Sequence, residues 1–444
     1  MIKSERYRAR MEWTGIELFD RLTGAVIKPA ESEKEALSEL LKNLLQLKNI
    51  PAGIESERSL FGSISLNQLM GKYSLINNDR LNIEPLINTP YPKSMDYASA
   101  PRRIYFELTR RCNLNCRSCF NRSFADKAEM TFGEIENTAK RLYNSGVYEI
   151  RCTGGEPTQR KDFFEILDML SSLGFYISIG TNGVYTPETL QRMLTAPVDF
   201  FILSLDSGDE NLNDIVRGGG SFKSAVQTLE QIASKGCRIR INTLVRRNHY
   251  TYEDIGKIAK IADRYYAESV NCIPLRPVTN DPEMLKLQLS PEEFKGFIGG
   301  LNRLRNEFKT DFVTTLDLRN TSSHDRIFKK DKSCAAGREG AVISPYGEIY
   351  GCSYSPASSH KIPLEKRRPY VAGNVLEEDV LEIWNDSARW AIYRDLERYK
   401  HPVCKTCSYY LEHRCIGNCP IMDKNDPAAF DPYCYLHADP KEVG

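Results

Sequence analysis

Cysteine is missing from the first 111 residues of the chain. A run of 18 apolar residues is missing throughout, and the opening MIKSERYRARMEWTG holds no apolar signal core. These absences speak against a spanning helix or an export signal, so the expectation is a cytoplasmic protein with no membrane partner. Excess charge of one sign is lacking too. A formal net charge of +1 gives no electrostatic case for a nucleic-acid partner. The six histidines are scattered without ligand-like pairing, which weakens zinc readings that need imidazole. Internal repeats and low-complexity tracts are absent as well. What remains is 444 residues of ordinary hydrophobic content, enough for two or three globular domains.

Sulfur is what the chain has. Six cysteines fall between positions 112 and 272, and seven between 334 and 434. In a reducing compartment, cysteines at short spacings read as metal ligands or redox groups, not disulfides. The stretch 107-ELTRRCNLNCRSCFN-121 sets Cys112, Cys116 and Cys119 in C-x3-C-x2-C spacing, with no fourth cysteine near. Structural metal sites ordinarily take four protein ligands. Either a distant cysteine completes a zinc site, or three thiolates hold a 4Fe–4S cluster whose bare iron can chelate a small molecule. Cys152, Cys237 and Cys272 sit in or beside strand-like runs and read as structural core residues, with Cys272 also a candidate hydrogen-atom donor.

Strand-like runs at 103–108, 148–152, 175–180, 200–205, 238–245 and 269–275 alternate with capped helical segments. Thr131 with Glu134 and Thr251 with Asp254 read as helix starts, as do Thr186-Pro187 and Ser290-Pro291. Such alternation predicts an α/β fold with parallel pairing and right-handed crossovers, as an open doubly wound sheet or a partial barrel. Either places functional loops at the carboxyl ends of the strands. The cysteine loop follows the first strand, and 153-TGGEP-157, 181-TNG-183 and 204-SLDSG-208 follow or end the next three. Glycines at 154 and 155 let backbone come close to a ligand, and Glu156 could receive an ammonium group.

Ahead of this core lies a strand–turn–strand pattern with its turn at Thr23-Gly24. A capping box at Ser32 and Glu35 follows, then a helical leucine stripe at 37, 40, 41, 44 and 45. Four prolines within 85–101 read as a linker. The parse is a small α+β module at 1–84, a linker at 85–101, a core at 102–310 and a cysteine-rich part at 311–444.

These motifs in this order resemble the radical S-adenosylmethionine (SAM) superfamily, from about Arg103 to Cys434. The resemblance implies a partial (β/α)6 TIM-type barrel whose 4Fe–4S cluster on Cys112, Cys116 and Cys119 delivers an electron to SAM, giving a 5′-deoxyadenosyl radical. It also implies SAM contacts from Gly154, Gly155, Glu156 and Pro157, from Thr181 and Asn182, from Ser204 and Arg217, and from Phe120. Ser118 stands where relatives usually carry an aromatic residue.

The tail, 333-SCAAGREGAVISPYGEIYGC-352 with 404-CKTC-407, 415-CIGNC-419 and Cys434, resembles the SPASM extension. That likeness implies two auxiliary 4Fe–4S clusters in a crossed arrangement. Cys334, Cys352 and Cys419 would hold one, leaving an open iron or a non-cysteine ligand. Cys404, Cys407, Cys415 and Cys434 would hold the other. Two zincs are the plainer metal reading. Segment 12–41 resembles the front of peptide-recognition modules fused to peptide maturases. The implied function is modification of a ribosomally made precursor peptide, with flavodoxin or ferredoxin as electron donor. The alternatives are a radical SAM dehydrogenase or epimerase of a small molecule, and a non-catalytic iron–sulfur electron carrier. A sulfatase-maturase role is disfavoured, because Ser353 stands where those relatives carry an acidic base. Glu107 and Arg276 read equally well as catalytic groups or as structural ion-pair members, and no acid or base is assigned.

Overall fold

A computed structural model describes residues 7–12, 15–27, 30, 33, 37, 72, 76–77, 80–81, 83–85, 97–119, 128–277, 281–314, 334–359, 362–395, 397–411, 415, 417–419, 421 and 430–436. Phe120, the Ser32–Glu35 capping box and the leucine stripe beyond Leu37 lie outside the described residues.

Four strands near the start form one small sheet: β1 (Tyr7–Glu12), β2 (Gly15–Asp20), β3 (Ala25–Ile27) and β6 (Ile83–Pro85), in the order β3-β2-β1-β6. A separate two-residue ladder joins β4 (Ile76–Asn77) to β5 (Arg80–Leu81). The turn between β2 and β3 closes on Gly24, whose φ of +66° suits glycine and whose N–H donates to the Asp20 carbonyl at 2.8 Å.

The six strands expected from the alternation are all present. They are β7 (Arg103–Thr109), β8 (Glu149–Gly154), β9 (Tyr176–Thr181), β10 (Phe200–Ser204), β11 (Ile239–Val245) and β12 (Ser269–Pro274). They pair in parallel and in sequence order. The sheet does not stop there. β13 (Asp311–Thr314) extends it beside β12, and β14 (Gly340–Ile343) adds a parallel strand beside β7. From β14 the sheet runs on, antiparallel, through β15 (Glu348–Tyr350) and β16 (Val371–Asn374), so the cysteine-rich part shares one ten-stranded sheet with the core.

Alternation along each strand assigns the two faces. Ile104, Phe106, Ile150, Cys152, Ile177 and Ile179 turn to one face, where they bury against Ile135, Leu142, Leu167, Leu170 and Leu229 of the covering helices. Thr131/Glu134, Thr251/Asp254 and Ser290/Glu293 each form a full capping box, at the starts of the helices Phe132–Asn144, Tyr252–Arg264 and Pro291–Glu307. Cys152 and Cys272 are fully buried in this core, their thiols pushed up to about 12 by burial, which suits structural residues.

The small N-terminal sheet packs on the amino ends of the parallel strands. Phe19 of β2 stacks on Tyr148 at 4.7 Å and meets Tyr176 edge-on, and both join one buried cluster with Val26, Phe200 and Ile202. Arg8 and Arg10 donate to the carbonyls of Val147 and Gly146. The end of the proline-rich segment is not an exposed tether. Ser99 and Ala100 are buried, Ser99 is held by Glu12, and Trp384 Nε1 donates to the Ala98 carbonyl at 2.7 Å.

Candidate radical SAM and iron–sulfur sites

The loop after β7 carries Cys112, Cys116 and Cys119, and it is zipped to the loop after β8. Gly155 N–H donates to Thr109 O at 2.7 Å and Glu156 N–H to Arg111 O at 2.8 Å. The glycines are what let these backbones meet: a Cβ on Gly154 would lie 2.3 Å from Thr109 O, and one on Gly155 2.1 Å from Arg111 O. Gly154 also holds φ at +130°. The sequence motif thus serves loop-to-loop contact here, whatever ligand lies beyond.

The Glu156 carboxylate turns inward. It is fully buried and accepts from Thr158 Oγ1, Thr181 Oγ1 and the Asn182 N–H, at 2.8–3.1 Å. Those bonds tie the β8 loop to the end of β9, so the side chain is occupied within the protein. Burial pushes its pKa up to about 6 against the pull of these donors. A folded value above the ordinary 4.5 means the native state binds the proton more tightly than the unfolded chain. The stabilisation is complete below about 4.5 and is lost as pH rises through about 6, roughly 2 kcal/mol in all. Glu156→Gln should remove this component from the pH dependence of the denaturant midpoint.

Asn182 bridges back to the cysteine loop, donating to Asn113 Oδ1 at 2.8 Å and lying 3.8 Å from Cys112 Sγ. Thr181 also accepts from the Tyr185 hydroxyl at 2.6 Å. Ser204 ends β10, half-buried beside Asn242. Arg217 ends the helix Glu210–Arg217, and its carbonyl lies 3.8 Å from Cys116 Sγ. Its Nε pairs with Asp206 at 2.8 Å. Burial opposes the charge on Arg217, but Asp206 and, after it, Cys116 outweigh burial and raise its pKa. Asp206 further accepts from Leu244 N–H at 2.9 Å, clamping the ends of β10 and β11 to that helix. Sequence reasoning passed over Asp206, although an acid two residues after Ser204 in the loop that leads to Arg217 was a usable signal. Glu107 pairs with buried Arg110 at 2.9 Å and accepts from Tyr350, a structural ion pair.

The cysteine-rich part gathers its thiols in two groups. Cys404, Cys407, Cys415 and Cys434 line one cavity with Tyr410, Asp431 and Tyr433. Cys352 feels the charge of Cys334 and Cys419, Cys419 feels that of Cys334, and Arg276 acts on both Cys352 and Cys419. Burial pushes Cys419 and Cys415 up to about 11 and Cys352 higher still, so each needs a cationic partner to become a thiolate. Arg276 lies between core and tail, 3.5 Å from Asp431 and over the Tyr433 ring.

The three cysteine sets are of the thiolate kind that iron–sulfur clusters take. Cys112 and Cys119 are exposed and Cys116 is partly so; Cys112 feels the charge of Cys119, and Cys116 that of both. Among the described residues no three His, Cys, Asp or Glu side chains stand close enough to share a single metal ion.

The radical SAM superfamily pattern matches residues 106–262, and the iron–sulfur cluster-binding SPASM domain pattern matches 334–408. The mycofactocin maturase MftC of Mycobacterium tuberculosis (strain ATCC 25618 / H37Rv) is 27% identical over 345 residues, covering 75% of this chain and 83% of that one. An AdoMet-dependent heme synthase of Methanosarcina barkeri (strain Fusaro / DSM 804) is 26% identical over 330 residues, covering 70% and 89%. Streptococcus suis SuiB, in a crystal structure with its precursor peptide SuiA, superposes with a TM-score of 0.67 at 18% identity over 96% of this chain and 98% of that one. The chain has the radical SAM/SPASM domain architecture and is an enzyme of that kind.

Proposed function

We propose that the chain modifies a ribosomally made precursor peptide by hydrogen abstraction, with SAM seated on the loops at the carboxyl ends of β7 to β10. The observation that carries this is the convergence of the three-cysteine loop, the Gly154-Gly155 contact, Asn182 and the Asp206-held Arg217 on that one end. A 4Fe–4S cluster on Cys112, Cys116 and Cys119 would supply the electron that cleaves the bound sulfonium. Arg217 is the residue for the methionine carboxylate: Asp206 holds its Nε, leaving a planar fork for a bidentate pair. Glu156 acts from within, fixing Thr181 and Asn182 in place. The parallel sheet is read as a partial barrel around this mouth. Auxiliary clusters sit on Cys334, Cys352 and Cys419, with one coordination position open, and on Cys404, Cys407, Cys415 and Cys434. Flavodoxin or ferredoxin is the donor class. Among the described residues no helix is long and apolar enough to cross a membrane.

Peptide is favoured over small molecule by the N-terminal sheet, whose edge strands β3 and β6 offer backbone groups for strand addition, and by the likeness to a precursor-bound structure. That sheet docks at the amino ends of the parallel strands, while the SAM loops lie at their carboxyl ends. A leader held there must be separated from the modified residue by at least about six extended residues, the length of β8. The likeness to a heme synthase supports the second reading, a small-molecule substrate. Anaerobic co-expression with a candidate precursor, followed by mass spectrometry, decides. A mass change on the peptide that needs Cys116 supports the proposal, and SAM cleavage with an unaltered peptide sinks it.

A further inference from the structure

Lys400 is an oddity among the charged residues. It is 3% exposed, and its ammonium donates to the Asn418 carbonyl at 2.9 Å. No carboxylate pairs with it among the described residues. A buried ammonium without a counter-charge costs several kcal/mol, so a native fold that keeps one has negative charge nearby. Burial pulls its pKa down, and the groups that draw it back up are sulfur: Cys404, Cys419, Cys334 and Cys415.

Its place in the chain explains the reach. Asn418 and Gly417 lie between Cys415 and Cys419. The Lys400 stem runs along Gly417, where a Cβ would meet Cδ at 2.9 Å and Nζ at 3.3 Å. Asn418 straps the same segment from its side chain, donating to Tyr399 O at 2.8 Å and accepting from His401 N–H at 2.8 Å. Cys415 belongs to the cavity quartet, and Cys419 to the trio with Cys334 and Cys352. The ammonium therefore sits under the three-residue bridge that separates the two sulfur groups. Arg276, another cation near these cysteines, is already paired with Asp431.

We infer that Lys400 is a shared electrostatic tuning residue, one buried positive charge that raises the reduction potentials of both auxiliary clusters together. The inference rests on the proposed assignment of those seven cysteines to two clusters. Reduction adds an electron to each cluster, and a nearby cation stabilises the reduced form more than the oxidised one. Because the same charge faces both groups, its removal should move both in one direction.

The test is an EPR-monitored redox titration of anaerobically reconstituted wild type, Lys400→Met, Lys400→Gln and Lys400→Arg, with iron counted in each. Met keeps the stem and drops the charge, and Gln keeps a donor toward Asn418 without charge. Wild-type levels of iron, both auxiliary potentials displaced downward in Met and Gln, an unmoved core-cluster potential and recovery in Arg support the inference. Full iron with unmoved potentials overturns it, as does displacement of only one auxiliary cluster, or a Gln variant that titrates like wild type. Should Met fail to load, Gln and Arg still carry the comparison. Wild-type iron short of three clusters would instead take down the cysteine assignment, a failure the iron count reveals before any potential is read.

Discussion

Alanine in place of Gly155 should strip the proposed core cluster from the cysteine loop while the tail cysteines keep the clusters proposed for them. The new Cβ would fall 2.1 Å from Arg111 O, 2.7 Å from Arg111 C and 2.8 Å from Arg110 O. All three are backbone atoms, and no rotamer change relieves them. The loop bearing Cys112 must move away, breaking the Gly155–Thr109 and Glu156–Arg111 hydrogen bonds that register it. A displacement near 1 Å at a reacting centre costs about 100-fold in rate or more. The expected outcome is iron lower by one cluster and SAM cleavage down by about that factor or beyond, read by iron assay and by 5′-deoxyadenosine formation. Gly133→Ala is the control. Gly133 is exposed in the helix Phe132–Asn144 with nothing within 4 Å of its added Cβ, so alanine there should stabilise by up to about 1 kcal/mol and leave activity alone. Full cluster loading in Gly155→Ala would show that the loop contact does not position the cysteines.

Removing Glu17 should be the most damaging single change to the docking of the N-terminal sheet. Glu17 is 1% exposed and receives Arg102 through two nitrogens, with Arg10 Nε a further 3.4 Å contact. Arg102 and Arg10 are buried too, and both have raised pKa values although burial opposes them: Glu17 and Glu339 outweigh it at Arg102, and Tyr148, Glu12 and Glu17 at Arg10. Glu17→Ala takes one carboxylate from each of two buried guanidinium groups, leaving Arg102 with Glu339 and Arg10 with Glu12, with about 1.5–3 kcal/mol lost. Glu136→Ala removes an exposed i,i+4 pair with Lys140 and should cost no more than about 0.5 kcal/mol. Denaturant titrations of the two variants measure the contrast. If Glu17→Ala were as mild as Glu136→Ala, the N-terminal sheet would not be held by this network. Limited proteolysis of Glu17→Ala should also cut more readily between the sheet and Arg102.

Much of the site could be read from order and spacing. Three cysteines after the first strand, a Gly-Gly-Glu after the second and an Asn after the third are local facts, and strand periodicity together with helix caps placed them. Parallel pairing then brings successive strand ends side by side, so motifs spread over a hundred residues meet without long-range information. Glu156 marks where this logic stops. Its place in the motif suggested an outward carboxylate, yet the hydroxyls of Thr158 and Thr181 and the Asn182 N–H draw it inside.

By itself the sequence determined the chemistry of this protein: which sulfurs cluster, in what spacing, and on which loops of an α/β sheet. Only the tertiary structure decided what surrounds them. Prolines within 85–101 announce broken ladders but not exposure, and Ser99 and Ala100 prove buried between the N-terminal sheet and the tail. Asp206 and Lys400 look like ordinary surface charges in the chain, yet one grips Arg217 and the other lies beneath the bridge from Cys415 to Cys419. The reason is that burial and charge pairing are set by neighbours distant in sequence, and neither leaves a periodic trace in the residues that take part.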